Sequence, residues 1–235
     1  MSCACDLFLP DSAKPLPFVI WIHRGAWCAG SKDLCPGIFL TGHGFAVASI
    51  NYRLSQEAVF PAQLDDCRSA NRFLRANAKK YNLDVDHNGV GGGCAGGHRV
   101  ALGGASNKIQ CGVDWYGPIN LTPDGLGRGN KIDVIVQLLG GTVQEKPELA
   151  TQANPIKQVK KNAAPFLIMQ GDAEHTINPE HSRLLHAALQ KAGVETTLKI
   201  LPGTGHGGPQ FNSEESHKLI EPLFSRYFCS VKSTK

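Results

Sequence analysis

The stretch Gly89-Val-Gly-Gly-Gly-Cys94-Ala-Gly-Gly-His98 decides how the rest of the chain is interpreted. Within it, Gly92-Gly-Cys94-Ala-Gly96 places a thiol between two glycines, each two residues away. This pattern is typical of a sharp turn from a strand into a helix, where the central residue has a strained backbone and its side chain projects above the sheet. The next backbone N–H group, that of Ala95, would lie at a helix N-terminus. We therefore predict a strand over 89–93, a tight turn at Cys94 and a helix after it.

Short apolar segments alternate with longer amphipathic segments on both sides of this turn. Predicted strands lie at 18–22, 45–50, 89–93, 110–116, 165–169 and 196–200. Predicted helices lie at 61–81, 179–192 and 213–228. Strands that alternate with helices form a mostly parallel sheet with helices on both faces, so the expected fold class is α/β.

One segment, from Gly117 to about Lys161, interrupts the alternation. It is rich in Gly, Asn and Pro, and its one clear apolar run is 132–139. We expect a cap-like excursion over the strand ends at 117–161, within a single domain that spans 1–235. A chain of 235 residues is long enough for one such domain with a large core.

Composition excludes several classes of protein. With 42% hydrophobic and 19% charged residues, the chain is neither disordered nor fibrous. Its 24 basic and 20 acidic residues are interspersed, so we expect neither nucleic acid nor a membrane surface as a partner. The longest apolar run, 17–22, is too short to span a bilayer. No charged segment followed by an apolar one opens the sequence, so we expect a cytoplasmic protein, or an exported one whose signal has been removed.

The eight cysteines suggest neither a disulfide framework nor a metal site. They occur at positions 3, 5, 28, 35, 67, 94, 111 and 229, with no CxxC pair and no Cys/His group at zinc-site spacing. A chain of this length does not need disulfides for stability, so we expect most of these thiols to be reduced and buried. No metal is expected.

Two alternatives to a nucleophile turn remain open. Gly91-x-Gly93-x-x-Gly96 also matches the dinucleotide fingerprint, which would make the protein a nucleotide-dependent oxidoreductase. That fingerprint normally opens its domain and has an acidic residue about 20 positions later, and both features are missing here. The other alternative is a glycine-rich turn that carries an inert cysteine. We expect no cofactor.

Further motifs indicate a family. His23-Arg-Gly-Ala-Trp27 follows the first strong strand, and the chain resembles bacterial esterase/lipase-like α/β hydrolases, whose matching turn reads His-Gly-Gly-x-Trp. The other matching stretches are Asn51-Tyr-Arg-Leu54, Phe60-Pro-Ala-Gln-Leu-Asp-Asp66, Asp114-Trp-Tyr-Gly-Pro118, Gly171-Asp-Ala-Glu174 and Gly203-Thr-Gly-His-Gly207. The resemblance implies an α/β-hydrolase fold, carboxylesterase activity, a catalytic triad and an oxyanion hole.

The resemblance also implies which side chains form the triad, in the chain order nucleophile, acid, histidine. Cys94 stands where the family has a serine nucleophile, and His206 occupies the position of the general base. Glu174 stands where the family has an aspartate, so its carboxylate is one methylene further from the backbone. Asp172 remains open as the alternative acid.

The same resemblance assigns the surroundings of the nucleophile. Backbone N–H groups near Arg24 and Gly25 would form the oxyanion hole with that of Ala95, and the side chains of Arg24 and Trp27 would contact the substrate. Arg24 replaces a glycine, so its side chain could obstruct the pocket, bind an anionic substrate or simply be solvated. His23 and His98 are expected to be structural.

The departures from the family pattern cluster in the active-site motifs. Cys94, Arg24 and Glu174 all differ from it, and Arg99 stands where an apolar residue is expected. A natural cysteine hydrolase, like the dienelactone hydrolases, is one explanation, and an altered serine esterase or a pseudo-enzyme is another. We expect hydrolysis of small acyl esters, such as acetyl esters, through an acyl-enzyme. A non-catalytic protein that binds carboxylates through Arg24 and Arg99 is the alternative from another class.

Overall fold

A seven-stranded sheet forms the centre of the computed structural model, which describes residues 4–104, 109–121 and 132–229. Its strands in chain order are β1 Cys5–Phe8, β2 Leu16–Ile22, β3 Ala46–Ile50, β4 Leu83–Gly93, β5 Cys111–Trp115, β6 Phe166–Gly171 and β7 Thr196–Leu201. Their order across the sheet is β1-β3-β2-β4-β5-β6-β7. β1 pairs antiparallel with β3, and every other pairing is parallel. The mostly parallel sheet expected from the sequence is confirmed.

Eight α-helices connect and cover these strands in the described part of the chain. They are α1 Ala62–Ala76, α2 Ala78–Tyr81, α3 Ala95–Gly104, α4 Ile132–Leu139, α5 Pro147–Gln152, α6 Pro155–Gln158, α7 Glu180–Lys191 and α8 Glu214–Cys229. Two 3₁₀ segments lie at Pro36–His43 and Pro209–Asn212. None of the helices in 4–104, 109–121 and 132–229 is long and apolar enough to cross a membrane.

Both faces of the sheet are buried, as the interior strand β2 shows. Phe18, Ile20 and Ile22 belong to one buried apolar cluster, whereas Val19 and Trp21 belong to a second. Because successive side chains of a strand point to opposite faces, each cluster lies on its own side of the sheet. The continuous apolar run in this strand therefore reflects helices packed on both faces.

The sequence missed some elements and misjudged the limits of others. Strand β1 was not predicted, because its four half-buried residues show no extended alternation of polar and apolar side chains. The helix predicted over 61–81 is two helices, α1 and α2, separated at Asn77. Strand β4 begins at Leu83 rather than at residue 89, so the glycine-rich segment is only the end of a longer strand.

The expected excursion at 117–161 contains helices α4, α5 and α6 in its described part, while 122–131 lies outside the described residues. The apolar run at 132–139 forms helix α4, which contributes Ile135 and Leu138 to a third apolar cluster with Trp27 and Phe60. This cluster brings the excursion against the turn that follows β2. That the chain forms a single domain remains a prediction.

The thiols are less buried than expected. Six cysteines are free in the described part of the chain, but only Cys94 and Cys111 are buried, so the expectation that most are core residues is wrong for these six. Cys28 and Cys35 lie in the loop region after β2, where solvent reaches them in part. Cys3 lies outside the described residues.

Candidate active site

The residues predicted to act together follow the carboxyl ends of four parallel strands. The turn 23–27 follows β2, Cys94 follows β4, the turn 172–174 follows β6, and the loop that carries His206 follows β7. Parallel strands end at the same edge of a sheet, which is where open α/β sheets place their sites. The fold therefore gathers these four segments at one edge.

Cys94 lies on a strained turn between β4 and α3. Its φ of 53° is left-handed, and its N–H donates to the Trp115 carbonyl at 2.9 Å. A Cβ on Gly96 would lie 2.1 Å from the Ile22 carbonyl oxygen, and one on Gly92 would lie 2.7 Å from that same oxygen. Both positions thus require glycine, because the turn packs directly against the end of β2.

His206 connects the turn after β6 to the cysteine. Its Nδ1 lies 2.7 Å from Oε2 of Glu174, and the imidazole also hydrogen-bonds the Cys94 thiol. Burial on its own lowers the pKa of His206, but the hydrogen bonds to Cys94 and Glu174 outweigh it and raise that pKa to about 9. The imidazole therefore holds a proton at neutral pH, which suits it to stabilise a thiolate.

The Glu174 carboxylate is buried and held by backbone groups as well as by His206. Oε1 accepts hydrogen bonds from the N–H groups of Thr176 and of Ile177, the latter at 3.1 Å. Burial raises the pKa of Glu174, but the hydrogen bond from His206 and those from the two N–H groups lower it below its ordinary value overall. The longer side chain thus reaches His206 in a fixed position.

Asp172, the alternative acid, is placed differently. Its side chain is exposed, and Oδ1 accepts a hydrogen bond at 2.6 Å from the N–H of Gly203 in the loop before His206. The structure therefore brings Glu174, and not Asp172, to the imidazole. Asp172 instead holds the loop that carries His206 against the turn after β6.

The turn after β2 has an unusual backbone and lines the same cavity as Cys94. Gly25 has a φ of 124°, and a Cβ there would lie 2.0 Å from the Ala29 carbonyl oxygen. Its carbonyl accepts hydrogen bonds from the N–H groups of Cys28 and Ala29, at 3.0 and 2.9 Å. Ala26 and Trp27 also have positive φ values, so several successive residues of this turn are strained.

The two histidines expected to be structural have structural contacts. His23 is buried, its Nδ1–H donates to the Arg24 carbonyl at 2.8 Å, and its ring stacks on Tyr52. His98 is fully buried, and its Nε2 lies 2.6 Å from the Ala153 carbonyl oxygen. Neither ring is a partner of Cys94 or Glu174.

A cavity of about 440 Å³ opens above the cysteine. Cys94, His206, Arg24, Gly25 and Trp27 line it, so it contains both side chains predicted to contact substrate. Much of the remaining lining is apolar and comes from Pro118, Ile135 and Ile177. Its volume is within the range usual for small-molecule sites. Among the described residues, no group of three or more His, Cys, Asp or Glu side chains could hold a metal ion.

One residue of the site was not given a role from the sequence. Tyr116 has a φ of 42°, and its ring lies edge-on to His206 with 4.7 Å between centroids. It belongs to Asp114-Trp-Tyr-Gly-Pro118, which carried the family resemblance but no assigned chemistry. Its place directly after β5 was the signal that could have identified it, since that strand ends at the same edge of the sheet.

Comparison with known proteins identifies the family of this chain. The BD-FAE family model matches residues 5–189, most of the chain. The chain belongs to the BD-FAE family. The matched part of this BD-FAE chain includes the cysteine turn and the Glu174 turn, while His206 lies beyond it.

Esterases are among the similar proteins of known sequence. Esterase LipC of Mycobacterium tuberculosis is 28% identical over 218 residues, which are 83% of the BD-FAE chain and 53% of LipC. Esterase LipQ of the same organism is also 28% identical, over 84% of this chain and 52% of LipQ. The chain spans about half the length of the curated relatives it matches.

A solved structure of another protein has the same fold as this chain. A truncated carbohydrate esterase from gut microbiota has a TM-score of 0.87 and 29% identity, over 95% of this BD-FAE chain and 90% of that one. The α/β-hydrolase fold predicted from the sequence is thereby confirmed, as is the resemblance to bacterial esterases.

Proposed function

We propose that the protein is a carboxylic-ester hydrolase with Cys94 as nucleophile, His206 as general base and Glu174 as the acid that orients the imidazole. The observation that carries the proposal is the chain of hydrogen bonds from Glu174 through His206 to a cysteine on a left-handed turn. A nucleophile, a base within hydrogen-bond reach and a third group that orients the base are the parts of a covalent hydrolase.

Acylation begins from a Cys94 thiolate paired with the imidazolium of His206, which already holds the thiol proton. The thiolate sulfur attacks the ester carbonyl carbon and forms a tetrahedral oxyanion. The carbon–oxygen bond to the alcohol then breaks, and the imidazolium gives its proton to the departing alkoxide. A thioester on Cys94 and a neutral His206 remain.

Deacylation uses the same imidazole in the opposite role. Neutral His206 accepts a proton from water as the oxygen of that water attacks the thioester carbonyl. The carbon–sulfur bond breaks, the carboxylic acid departs, and a thiolate paired with imidazolium is restored. Glu174 keeps Nδ1 protonated in every step, so Nε2 is the nitrogen that exchanges protons with Cys94.

Backbone N–H groups would stabilise the oxyanion in both steps. Ala95 is the first residue of α3, so its N–H lies at the positive end of that helix dipole. Gly25 lies across the cavity, and the Arg24 N–H precedes it in the same turn. Such fixed donors commonly contribute about a hundredfold or more to the rate. Replacement of a family glycine by Arg24 leaves its backbone N–H in place.

The substrate class proposed is esters with a small acyl group. The relatives named as esterases and the carbohydrate esterase structure support an ester as the substrate. Another solved structure, an acetyl ester-xyloside bifunctional hydrolase from Caldicellulosiruptor lactoaceticus, is 25% identical with a TM-score of 0.83. These similarities favour acetyl esters, including those of sugars, and the 440 Å³ cavity can hold a sugar-sized group.

Exposure of the protein to p-nitrophenyl acetate tests the proposal. We expect a burst of nitrophenol followed by slow turnover, because the larger sulfur fits poorly where the family has oxygen. Intact-mass analysis should detect one acetyl adduct, located on Cys94 by peptide mapping. The matched control is Cys111→Ala, which removes another buried thiol outside the cavity and should keep the burst.

Three outcomes separate the alternatives. Equal activity of Cys94→Ala would contradict the cysteine nucleophile. An adduct on Cys94 that does not turn over indicates an altered esterase limited to one turnover. Absence of any adduct, together with alkylation of Cys94 by iodoacetamide no faster than of the other thiols, favours a non-catalytic binding protein.

A further inference from the structure

A second, smaller cavity adjoins the large one, and Arg24 lines both of them. The small cavity has a volume of about 130 Å³ and is lined in part by Trp115, Tyr116, Gly207 and Phe211. Gly207 directly follows His206 in the chain, so the small cavity lies beside the catalytic histidine. A volume of this size accepts a group no larger than about one benzene ring.

Arg24 makes this region positively charged. A Cβ on Gly207 would lie 2.3 Å from Nη1 of Arg24, so the guanidinium rests directly against the backbone next to His206. Its side chain has no ion pair or hydrogen bond within the described residues. No Asp or Glu is among the described residues that line either cavity. Among the described residues that line the two cavities, therefore, no carboxylate neutralises the Arg24 guanidinium or accepts its hydrogen bonds.

A buried donor on a residue that lines the small cavity also lacks a partner. Trp115 is 3% exposed, and its Nε1–H has no hydrogen bond within the described residues. A buried N–H without an acceptor is unfavourable, and such groups in native proteins usually have a ligand or water as a partner. This observation is independent of Arg24 and concerns a residue that lines the same small cavity.

We propose that the small cavity is a carboxylate subsite in which Arg24 binds the anionic group of the substrate. The proposal rests on the function proposed above and narrows its substrate class to esters that carry a carboxylate. The reacting carbonyl would lie at Cys94, the apolar part of the substrate in the large cavity, and the carboxylate between Arg24 and Trp115. A guanidinium is suited to this task because its planar donors match both carboxylate oxygens.

The carboxylate can belong to either half of the ester, and two pairs of ligands distinguish these cases. Monomethyl glutarate carries it on the acyl side, and methyl pentanoate is its neutral match. Para-acetoxybenzoate carries it on the alcohol side, with its methyl ester as the neutral match. Binding of all four is measured by NMR titration to the Cys94→Ala protein, in which turnover cannot interfere.

We expect at least one anionic ligand to bind about tenfold more tightly than its neutral match. Adding Arg24→Gln should abolish that preference, and Arg24→Lys should keep part of it. Arg68→Gln is the matched control, because Arg68 is an exposed arginine on α1 that lines neither cavity. Equal binding of both members in each pair, or a preference that survives Arg24→Gln, would overturn the proposal.

The binding assay also keeps this inference separate from the catalytic one. If the carboxylate preference depends on Arg24 but the unsubstituted protein forms no acyl adduct, the ester-hydrolase proposal fails and the subsite stands. If the adduct forms but no preference is found, the subsite fails alone. Higher ionic strength should weaken the preference, since Arg24 is exposed and its charge is screened by salt.

Discussion

Nδ1 of His206 lies 2.7 Å from Oε2 of Glu174, and two backbone N–H groups bind the other oxygen of that carboxylate. The pair joins the loop after β7 to the turn after β6. A carboxylate held at both oxygens cannot rotate away from the imidazole, so it fixes which ring nitrogen faces Cys94. The position of the acid is therefore set by the backbone of its own turn.

The first prediction concerns this carboxylate. Glu174→Gln should lower kcat/KM for p-nitrophenyl acetate by about a hundredfold to ten-thousandfold, because an amide no longer stabilises the imidazolium or the required tautomer. Asp172→Asn is the matched control in the same turn and should retain most of the activity, since the Asp172 carboxylate accepts from the Gly203 backbone and not from His206. The reverse ranking of the two variants would assign the acid to Asp172.

The sequence could not distinguish these two carboxylates. Asp172 and Glu174 both follow a predicted strand, and only the residue-by-residue match to the family favoured Glu174. What separates them is which backbone N–H groups each one accepts from: Thr176 and Ile177 hold Glu174, and Gly203 holds Asp172. Those contacts depend on the path of two loops, which periodicity does not determine.

Other parts of the molecule were predictable for a physical reason. The strands β2, β3 and β6 are mostly apolar because both of their faces are buried, and the sequence predicted them nearly to their ends. The cysteine turn was predicted because its glycines are required by contacts with β2. Tyr116 was given no role because its place after β5 indicates the functional edge of the sheet but not its contact with a histidine from another loop.

The second prediction concerns pH and His206. Its ordinary pKa is 6.5, and in the folded protein it is about 9. Between these values the folded state holds the proton that the unfolded state releases, so the free energy of unfolding falls as pH rises through this window. The stabilisation is fully present below pH 6.5 and is lost as pH passes 9.

Urea denaturation across that window measures the effect. His206→Asn should show a smaller fall in the free energy of unfolding than the unsubstituted protein. Cys94→Ala should also show a smaller fall, because one of the two hydrogen bonds that raise the pKa of His206 is removed. His186→Asn is a control at a histidine with no contact to the triad. An identical pH dependence in His206→Asn would show that His206 does not cause the fall.

The third prediction concerns Asp114, at the carboxyl end of β5. Its side chain is fully buried, and burial raises the pKa of Asp114 to about 7 although the Gly117 N–H donates to Oδ1. A carboxyl group with a raised pKa keeps its proton on folding between pH 3.8 and 7, so it lowers the free energy of unfolding as pH rises through this range.

Asp114→Asn keeps an oxygen that can accept from Gly117 but removes the ionisation. We therefore expect this variant to gain stability, relative to the unsubstituted protein, as pH rises from 3.8 to above 7. Thermal unfolding of both proteins across this range provides the comparison. A constant difference between their melting temperatures at every pH would be inconsistent with a buried, titrating Asp114.

The last prediction concerns Arg99, a buried cation on α3, the helix that follows the Cys94 turn. Arg99 is 1% exposed, and its three guanidinium nitrogens have no hydrogen-bond partner within the described residues. The positive charge of Arg99 is stabilised in part by a cation–π contact with Tyr52, whose ring centroid lies 5.4 Å from Cζ. Burial accordingly lowers the pKa of Arg99. A charge in this environment is expected to destabilise the fold.

Arg99→Leu should therefore raise the free energy of unfolding by about 1 to 4 kcal/mol, as replacement of buried ionic groups by apolar residues often does. Arg53→Leu is the matched control, and it should change the free energy of unfolding in the opposite direction. Arg53 binds both oxygens of the buried Asp66 carboxylate. Its loss should destabilise the protein by about 1 to 3 kcal/mol. Urea denaturation of the three proteins decides the matter: if Arg99→Leu is destabilised as much as Arg53→Leu, the guanidinium of Arg99 has a partner that stabilises the fold.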